Sequence, residues 1–409
     1  MASLAEGNVT EKLGQLLLDT LSPNTDVRTA ATASMSEKSL QPGFVVSLFA
    51  VVKQSNQSGQ SSGKCLACCT YLKNFIKKHW KLKSGTFLLQ AERTEIRTAL
   101  VDLLLDNSLK VGKSASSLLA ECIRLIALED FPKEWPEATS KISSIFQNLQ
   151  EDPATLERAI LFVYVVVKRY EYFFDPLHSK SDSPAELKLI ADAVLPKLTA
   201  IFTKMMSSGS AASFPEEQKR LLRMIAKLYF RITRSYLPDV AKTVAPDFLG
   251  ACMIILADIT AGMQDDVKVQ DEDFMIDEEE LSQEWRLHKR VLKLFTSIQS
   301  RHRQLAEPYM ARLVDLCRLA TQRPRGALPD RIYSQCFDIL AATTAHKSHY
   351  ALVKKHFPEI VEKSIFPHLE LSSTDKECWL EDEDEYVRSN LSLEDMEIED
   401  NEIESYTGR

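Results

Sequence analysis

Three cysteines with a spacing seen in metal sites lie at Cys65, Cys68 and Cys69. Structural zinc takes four such ligands, which usually converge from turns. Here the spacing i, i+3, i+4 falls within a helical pattern that continues through Leu72 and Phe75. The other five cysteines are scattered and supply no second pair: Cys122, Cys252, Cys317, Cys336 and Cys378. The sequence therefore favours buried, reduced thiols in a cytosolic or nuclear protein, and it predicts no metal site.

Lysines are concentrated in the segment from Tyr71 to Trp80 (YLKNFIKKHW). Helical periodicity turns the apolar residues of this segment inward and its lysines, Lys73, Lys77 and Lys78, outward. A solvated helix face and a docking surface for an acidic partner both fit this pattern. A nucleic-acid surface fits less well, because the basic stretch is short and the aromatic residues are needed for packing.

The sequence Glu129–Pro136 (EDFPKEWP) ends one helical pattern and starts another. Pro132 disfavours helical geometry at Phe131, and Pro136 suits the first turn of the next helix. Phe131 and Trp135 are predicted to cover the corner between the two helices. The acidic residues of the corner are predicted to face solvent: Asp130, Glu134 and Glu137.

Acidic residues are concentrated in two segments. Residues 265–284 hold ten acidic residues and one basic residue, and residues 377–409 hold thirteen and two. Outside these segments the chain has 35 acidic and 47 basic residues, so its helical body is basic although the net charge is −8. This polarity suits partners of two kinds.

Residues 265–284, here called the acidic segment, interleave carboxylates with Phe274, Met275 and Ile276. This mixture suggests that the segment docks on a basic partner, although a disordered acidic linker fits the composition equally well. An EF-hand does not fit, because the required glycine and ligand spacing are missing. The predicted contact residues are seven carboxylates: Asp271, Glu272, Asp273, Asp277, Glu278, Glu279 and Glu280.

No pattern typical of catalysis is present: there is no Gly-rich phosphate loop, no nucleophile motif and no metal spacing among the eight histidines. We therefore predict that the chain is not an enzyme and binds no cofactor. His349 and His356 are predicted to lie at the surface. The most apolar run, Ala159–Val167, is much shorter than the ~20 residues of a membrane helix, and no signal-peptide pattern is found. The sequence predicts a soluble protein.

Amphipathic helical patterns follow one another along the whole chain, and only 12 glycines are present. We count about fifteen predicted helices, with a helical pair roughly every 40–45 residues, which is the period of HEAT repeats. The predicted fold is all-α: an α-solenoid of HEAT-like helical repeats in a right-handed superhelical array. A compact helical bundle is the alternative, but it suits this number of helices less well.

Four motifs, in this order along the chain, resemble the karyopherin-β (importin-β) superfamily of nuclear transport receptors: Leu13–Met35, Tyr71–Trp80, Asp130–Pro136 and Trp379–Arg388. The last of these is similar to the branch that contains importin-7 and importin-8, with exportin-2 as a near relative. Leu328–Arg331 and Ile365–His368 have counterparts there too. Family members continue through many more repeats, so the chain is expected to be a shortened or N-terminal portion of such a receptor.

The resemblance implies a receptor that binds the GTPase Ran in its GTP form, carries protein cargo within the solenoid and contacts Phe-Gly nucleoporins on its outer face. Four residues of the second repeat are expected to face Ran: Lys73, Asn74, Lys77 and Lys78. The acidic segment is expected to contact Ran or basic cargo. Such a receptor shuttles between cytoplasm and nucleus and binds at the nuclear pore, and neither a membrane nor nucleic acid is an expected partner.

These expectations give a division of the chain into five parts. Residues 1–149 form N-terminal importin-type HEAT repeats that bind Ran, and 150–264 form middle repeats. The acidic loop covers 265–284, further repeats cover 285–376, and an acidic C-terminal segment covers 377–409. The favoured function is import. An exportin-2-type export receptor and a HEAT scaffold without a transport role are the alternatives.

Overall fold

The computed structural model describes residues 2–41, 43–57, 62–81, 88, 90–106, 112–149, 152–170, 185–234, 236–262, 282–324, 327–371, 373–384 and 386–387. Every regular element in these ranges is a helix, which confirms the predicted all-α class. The described residues fall into two compact units, one ending at Tyr170 and the other starting at Ala185.

The N-terminal unit has two layers of helices in its described part. Helix α6 lies between α4 and α8, while α3 and α5 pack over α4 and α6. The α-helices of this unit are α1 (Ala2–Asp19), α2 (Thr25–Lys38), α3 (Phe44–Gln57), α4 (Ser62–His79), α5 (Gln90–Leu105), α6 (Lys113–Asp130), α7 (Glu137–Gln147) and α8 (Pro153–Val167).

The second unit repeats this arrangement. Helix α12 lies between α10 and α15, while α11 packs against α9 and α14. Its α-helices are α9 (Ala185–Met206), α10 (Glu216–Thr233), α11 (Asp239–Gly262), α12 (Gln283–Arg301), α13 (Arg303–Ala306), α14 (Met310–Thr321), α15 (Asp330–Thr344), α16 (Lys347–Lys354), α17 (Phe357–Ile360), α18 (Phe366–Leu369) and α19 (Ser373–Glu381). In both units, alternate helices along the chain stack on one another, which is the packing of HEAT-type repeats.

Side-chain caps fix where several helices begin. The Asn24 side chain accepts hydrogen bonds from the backbone N–H groups of Asp26 and Val27 at the start of α2. Asp152 caps α8 in the same way through the N–H of Thr155, and Pro153 occupies the first turn. Each cap satisfies backbone donors that have no partner inside the helix, so the sequence marks these boundaries locally.

Two predicted boundaries differ from the structure. Because proline suits a helix start, the sequence predicts a helix that begins at Asp247, just after Pro246; α11 instead begins at Asp239 and runs through Pro246. The amphipathic pattern of residues 349–363 also predicts one continuous helix, but the structure divides this region into α16, α17 and the π-helical turn Val361–Ile365. Local propensity alone does not give these limits, since tertiary context can override it.

Helix α11 is long and apolar enough to span a membrane by length and composition. However, 56% of its most apolar window is buried inside the protein. Its buried side chains, among them Phe248, Cys252 and Ile255, pack in the core of the second unit. A core helix of this kind explains the composition without a membrane.

Seven of the eight cysteines are buried as free thiols, as predicted, whereas Cys378 is half-buried. Burial raises the pKa of the Cys68 and Cys252 thiols. Both groups are therefore protonated at physiological pH, which suits small apolar side chains of the core rather than nucleophiles. Among the residues that the structure describes, no group of three or more His, Cys, Asp or Glu side chains could hold a metal ion.

Candidate protein-interaction surface

Helix α4 separates its apolar and basic residues as predicted. Leu72, Phe75 and Ile76 are buried. On the other side lie the residues expected to face Ran, Lys73, Asn74, Lys77 and Lys78, here called the lysine face. Asn74, Lys77 and Lys78 are exposed, and Lys73 is half-buried. The four residues are therefore brought together on one side of the last two turns of α4.

Lys73 lies close to α6, and its charge acts on a thiol there. Burial raises the pKa of Cys122, Glu121 adds to this, and the nearby Lys73 ammonium opposes it. At the other end of the lysine face, burial and the charge of Lys78 lower the pKa of His79. The imidazole is thus neutral at physiological pH, and the positive charge of this surface comes from lysines.

Aromatic contacts hold the buried side of α4 against α3. The ring of Phe44 lies 5.9 Å from that of Phe75 and 5.8 Å from that of Tyr71, measured between centroids. The Tyr71 hydroxyl also donates to the carbonyl oxygen of Met35, at 3.4 Å. Because the inner side is fixed, the lysine face is presented on a rigid helix, which reduces the entropy lost when a partner binds.

Trp80 and Arg93 close the C-terminal end of α4. Trp80 is buried, and its carbonyl oxygen accepts a hydrogen bond of 2.8 Å from the Arg93 guanidinium. The same guanidinium stacks over the indole, with its central carbon 4.9 Å from the ring centroid. This pair joins the end of α4 to the first turn of α5 and satisfies one of the carbonyl groups that a helix end leaves unpaired.

A buried ion pair joins α5 to the corner that follows α6. Arg97 Nη1 lies 3.3 Å from Asp130 Oδ2 and also donates to the carbonyl oxygen of Glu134. Arg97 is 4% exposed and Asp130 is 6% exposed. The prediction that Asp130 faces solvent was wrong, because Arg97 supplies the counter-charge that makes its burial possible.

Two opposing effects act on the pKa of Asp130: burial and the neighbouring side chains. Burial, the largest effect, raises the pKa of Asp130, while Trp80, Arg97 and Arg93 partly lower it again. Desolvation therefore outweighs the attraction of the two guanidinium groups. A carboxylate in this position depends on its positive neighbours to remain ionised.

The aromatic residues of the corner are placed as predicted. Phe131 and Trp135 are buried, and Phe131 adopts the extended backbone that the following proline favours. Glu134 and Glu137 are exposed. Near the end of α4, Lys81 forms an exposed ion pair of 3.1 Å with Glu129. The corner thus supports the end of α4 on its buried side and leaves the lysine face uncovered.

The sequence also indicates the two arginines that hold this arrangement, although neither belongs to the four motifs described above. Arg93 and Arg97 are four residues apart and share a helix side with Ile96, Leu100 and Leu104, all of which are buried. A basic pair inside an otherwise apolar helical stripe indicates a buried acidic or carbonyl partner elsewhere in the chain.

All seven carboxylates predicted as contacts in the acidic segment, Asp271 to Glu280, lie outside the described residues. The C-terminal end of the segment is described. Ser282 caps α12, and the Glu284 carboxylate lies 2.6 Å from the Nζ atom of Lys219 on α10. The backbone N–H of Gln283 donates to the Glu216 carboxylate at 3.0 Å. The segment therefore ends at a fixed point on the start of α10.

His349 corrects a further prediction, because it is buried rather than at the surface. Its Nε2 atom lies 2.6 Å from the Glu307 carboxylate, which belongs to the preceding repeat. His356 is half-buried. This contact links α16 to the turn before α14, so the burial of His349 has a structural explanation.

Comparison with known proteins agrees with this arrangement. Residues 31–106, which contain α4, match the family model of the importin-β N-terminal domain. Residues 166–401, more than half of the chain, match the Cse1 family model. The chain is 24% identical to the importin beta-like SAD2 homolog of Arabidopsis thaliana, covering 91% of this chain and 35% of that protein.

Exportin-2 from Xenopus laevis is 23% identical, and exportin-2 from Homo sapiens 22%; each alignment covers 96% of this chain and 39% of the relative. The chain thus spans less than half the length of these curated relatives. Assignment to the importin-7 and importin-8 branch is not specifically supported and stays a prediction.

Among solved structures, the exportin Cse1 in its cargo-free, cytoplasmic state has the same fold, with a TM-score of 0.75 and 18% sequence identity. The alignment covers 95% of this chain and 40% of that chain. The helical repeats, the match to the importin-β N-terminal domain and the match to Cse1 agree with one another. The chain therefore belongs to the Cse1 family within the importin-β superfamily.

Proposed function

We propose that this chain acts as a nuclear transport receptor that binds Ran in its GTP form through the lysine face of α4. The observation that carries the proposal is the match of residues 31–106 to the importin-β N-terminal domain, because α4 and all four residues of the lysine face lie within that range. The rigid mounting of α4 on α3 and on the Trp80–Arg93 contact supports the same interpretation.

The positive charge of the lysine face favours association with an acidic surface of Ran. Three positive charges on one exposed helix side attract an acidic surface before contact and orient it. Asn74, between them, adds an amide that can both donate and accept hydrogen bonds. A surface of this kind contributes most at the rim of an interface, where charge changes alter the association rate and its salt dependence.

Reversing these charges tests the site. In the triple variant Lys73→Glu, Lys77→Glu, Lys78→Glu we expect the affinity for Ran-GTP to fall about 10- to 100-fold. The matched control reverses three exposed lysines on other helices of the same unit: Lys12, Lys53 and Lys141. Surface plasmon resonance at two salt concentrations measures both variants. Equal losses in the two triples, or no loss in either, would remove the assignment of the lysine face.

For the direction of transport, we propose export as the first candidate, because exportin-2 recurs among the relatives and the Cse1 family model covers more than half of the chain. Import is the second candidate. It is favoured by the acidic segment, which suits basic cargo, and by the importin beta-like relative. Phe-Gly nucleoporins on the outer face and shuttling between nucleus and cytoplasm are part of the same proposal.

The two directions give opposite results in one assay. The immobilised chain is incubated with a cell extract, with or without Ran locked in its GTP form. An export receptor retains more protein when Ran-GTP is present, since Ran and cargo bind together with positive coupling. An import receptor releases protein under the same condition.

A further inference from the structure

Helix α10 carries a row of positive charge that the function proposed above does not use. Between Gln218 and Arg234 the sequence has no acidic residue. Arg220, Arg223, Lys227 and Arg231 recur at helical spacing and are all half-buried. The apolar residues between them are buried, except for the half-buried Met224. Their aliphatic stems therefore pack along the protein surface, and the guanidinium of Arg231 is itself partly buried.

Helix α12 continues this positive surface. Arg286, Lys289 and Lys293 lie on its half-buried side, and no acidic residue occurs between Trp285 and Arg303. These three residues, with the four on α10, are here called the basic stripe. Residues three or four apart along each helix have Cβ atoms about 5–6 Å from one another, so these side chains are neighbours.

The two helices run side by side in the same direction. At their starts, Lys219 on α10 pairs with Glu284 on α12. At their ends, the His302 imidazole lies 2.7 Å from the carbonyl oxygen of Thr233. The guanidinium groups of Arg234 and Arg290 both lie 5.8 Å from the Phe230 ring. The basic stripe is thus one surface on a rigid base, about 10 Å wide between helix axes.

We propose that the basic stripe binds the acidic segment of the same chain. Charge complementarity supports the pairing, because residues 265–280 hold nine acidic residues and one lysine. Position supports it too. The acidic segment joins α11 to α12, and its last residues are already bound at the start of α10 through Lys219 and Glu216.

Tethering favours this occupant over the acidic C-terminal residues 377–409, which lie more than seventy residues beyond α12 in sequence. A short tether gives an effective concentration in the millimolar range. Even a weak electrostatic contact is then largely formed. A nucleic acid is less favoured, since the large aromatic residues of α10, Tyr229 and Phe230, are buried and cannot stack on bases. The proposal stands whether or not the chain binds Ran.

The test uses a fluorescein-labelled peptide with the sequence of residues 263–282 and measures its binding by fluorescence anisotropy. Two forms of the full chain are compared: the unaltered chain, and a variant in which every Asp and Glu from 265 to 280 is changed to Asn or Gln. We expect the neutralised variant to bind the peptide about 10- to 100-fold more tightly, because the competing tethered segment is lost.

A second pair of variants locates the binding surface. In the neutralised background, Lys227→Glu, Lys289→Glu, Lys293→Glu should weaken peptide binding at least about tenfold. The control Lys347→Glu, Lys354→Glu, Lys355→Glu, three exposed lysines of the same unit, should leave it within about twofold. Circular dichroism melting checks that both triples are folded.

Three results would overturn the proposal. Equal peptide affinity for the unaltered and neutralised chains would show that the tethered segment does not occupy the surface. Equal effects of the two lysine triples would show that the basic stripe is not the binding surface. Displacement of the peptide by a ten-nucleotide RNA at lower concentration than by unlabelled peptide would assign the stripe to nucleic acid.

Discussion

Replacing Arg97 by methionine is expected to lower the free energy of unfolding around α5 and α6 by about 3–5 kcal/mol. The substitution keeps the apolar volume of the side chain but removes the charge that faces Asp130 at 3.3 Å. A carboxylate is then left inside the protein without its counter-ion. Hydrogen exchange followed by mass spectrometry measures the effect as faster exchange in peptides from α5 and α6.

The matched control is Lys141→Met, which removes an exposed ion pair of 3.0 Å with Asp102 in the same unit. Exposed pairs contribute about 0–1 kcal/mol, so exchange should change little. Comparable losses in both variants would contradict the assignment of a structural role to the buried pair.

The same variant should respond to pH in a defined direction. Burial already raises the pKa of Asp130, and losing Arg97 removes one of the groups that lowers it. A raised carboxyl pKa means that the protonated form is favoured in the folded state. Protonated Asp130 therefore stabilises the folded state at low pH, and this stabilisation is lost as pH rises through the folded-state pKa. The loss of unfolding free energy caused by Arg97→Met should therefore be largest near neutral pH and shrink toward about pH 4. Hydrogen exchange measures this loss at each pH, after correction for the intrinsic exchange rates.

Replacing Phe248 by alanine is expected to destabilise the second unit by about 3–5 kcal/mol. The Phe248 ring is 1% exposed and lies between two other aromatic rings, 4.6 Å from Phe202 and 4.1 Å from Tyr229. Alanine would leave a cavity against both. Exchange should accelerate in peptides from α9, α10 and α11, because these helices carry the three rings.

The control for this variant lies on the same helix. Ile254 is 45% exposed, so Ile254→Ala removes a large apolar side chain without opening a buried cavity. Its effect should stay within about 0.5 kcal/mol. If Ile254→Ala slowed or accelerated exchange as strongly as Phe248→Ala, the aromatic stack would not be the core of this unit.

Periodicity predicted the parts of this fold in which local sequence and burial agree. In α4 the spacing of Leu72, Phe75 and Ile76 placed the lysines outward, and the structure has the same separation. The corner after α6 was predicted from Phe131 and Pro132, because proline restricts the residue before it whatever the surroundings. These signals lie within a few residues and need no partner.

Contacts between distant residues account for the predictions that were wrong. Asp130 is buried because of Arg97, thirty-three residues earlier in the chain. Helix α11 runs through Pro246, and side chains on both sides of this proline, among them Ala245 and Phe248, are buried in the core. A proline removes one backbone hydrogen bond from a helix interior, so packing against side chains from other helices must offset this loss. A single sequence does not indicate which distant side chain will do so.

The most direct test of the proposed function is binding of the purified chain to Ran loaded with GTP or with GDP, at physiological salt. We expect clear preference for the GTP form, and loss of that preference in the triple variant at Lys73, Lys77 and Lys78. A receptor must distinguish the two nucleotide states by a difference in binding free energy, since equal affinity shifts no equilibrium. Equal or absent binding to both forms would contradict the proposal that this chain is a Ran-dependent transport receptor.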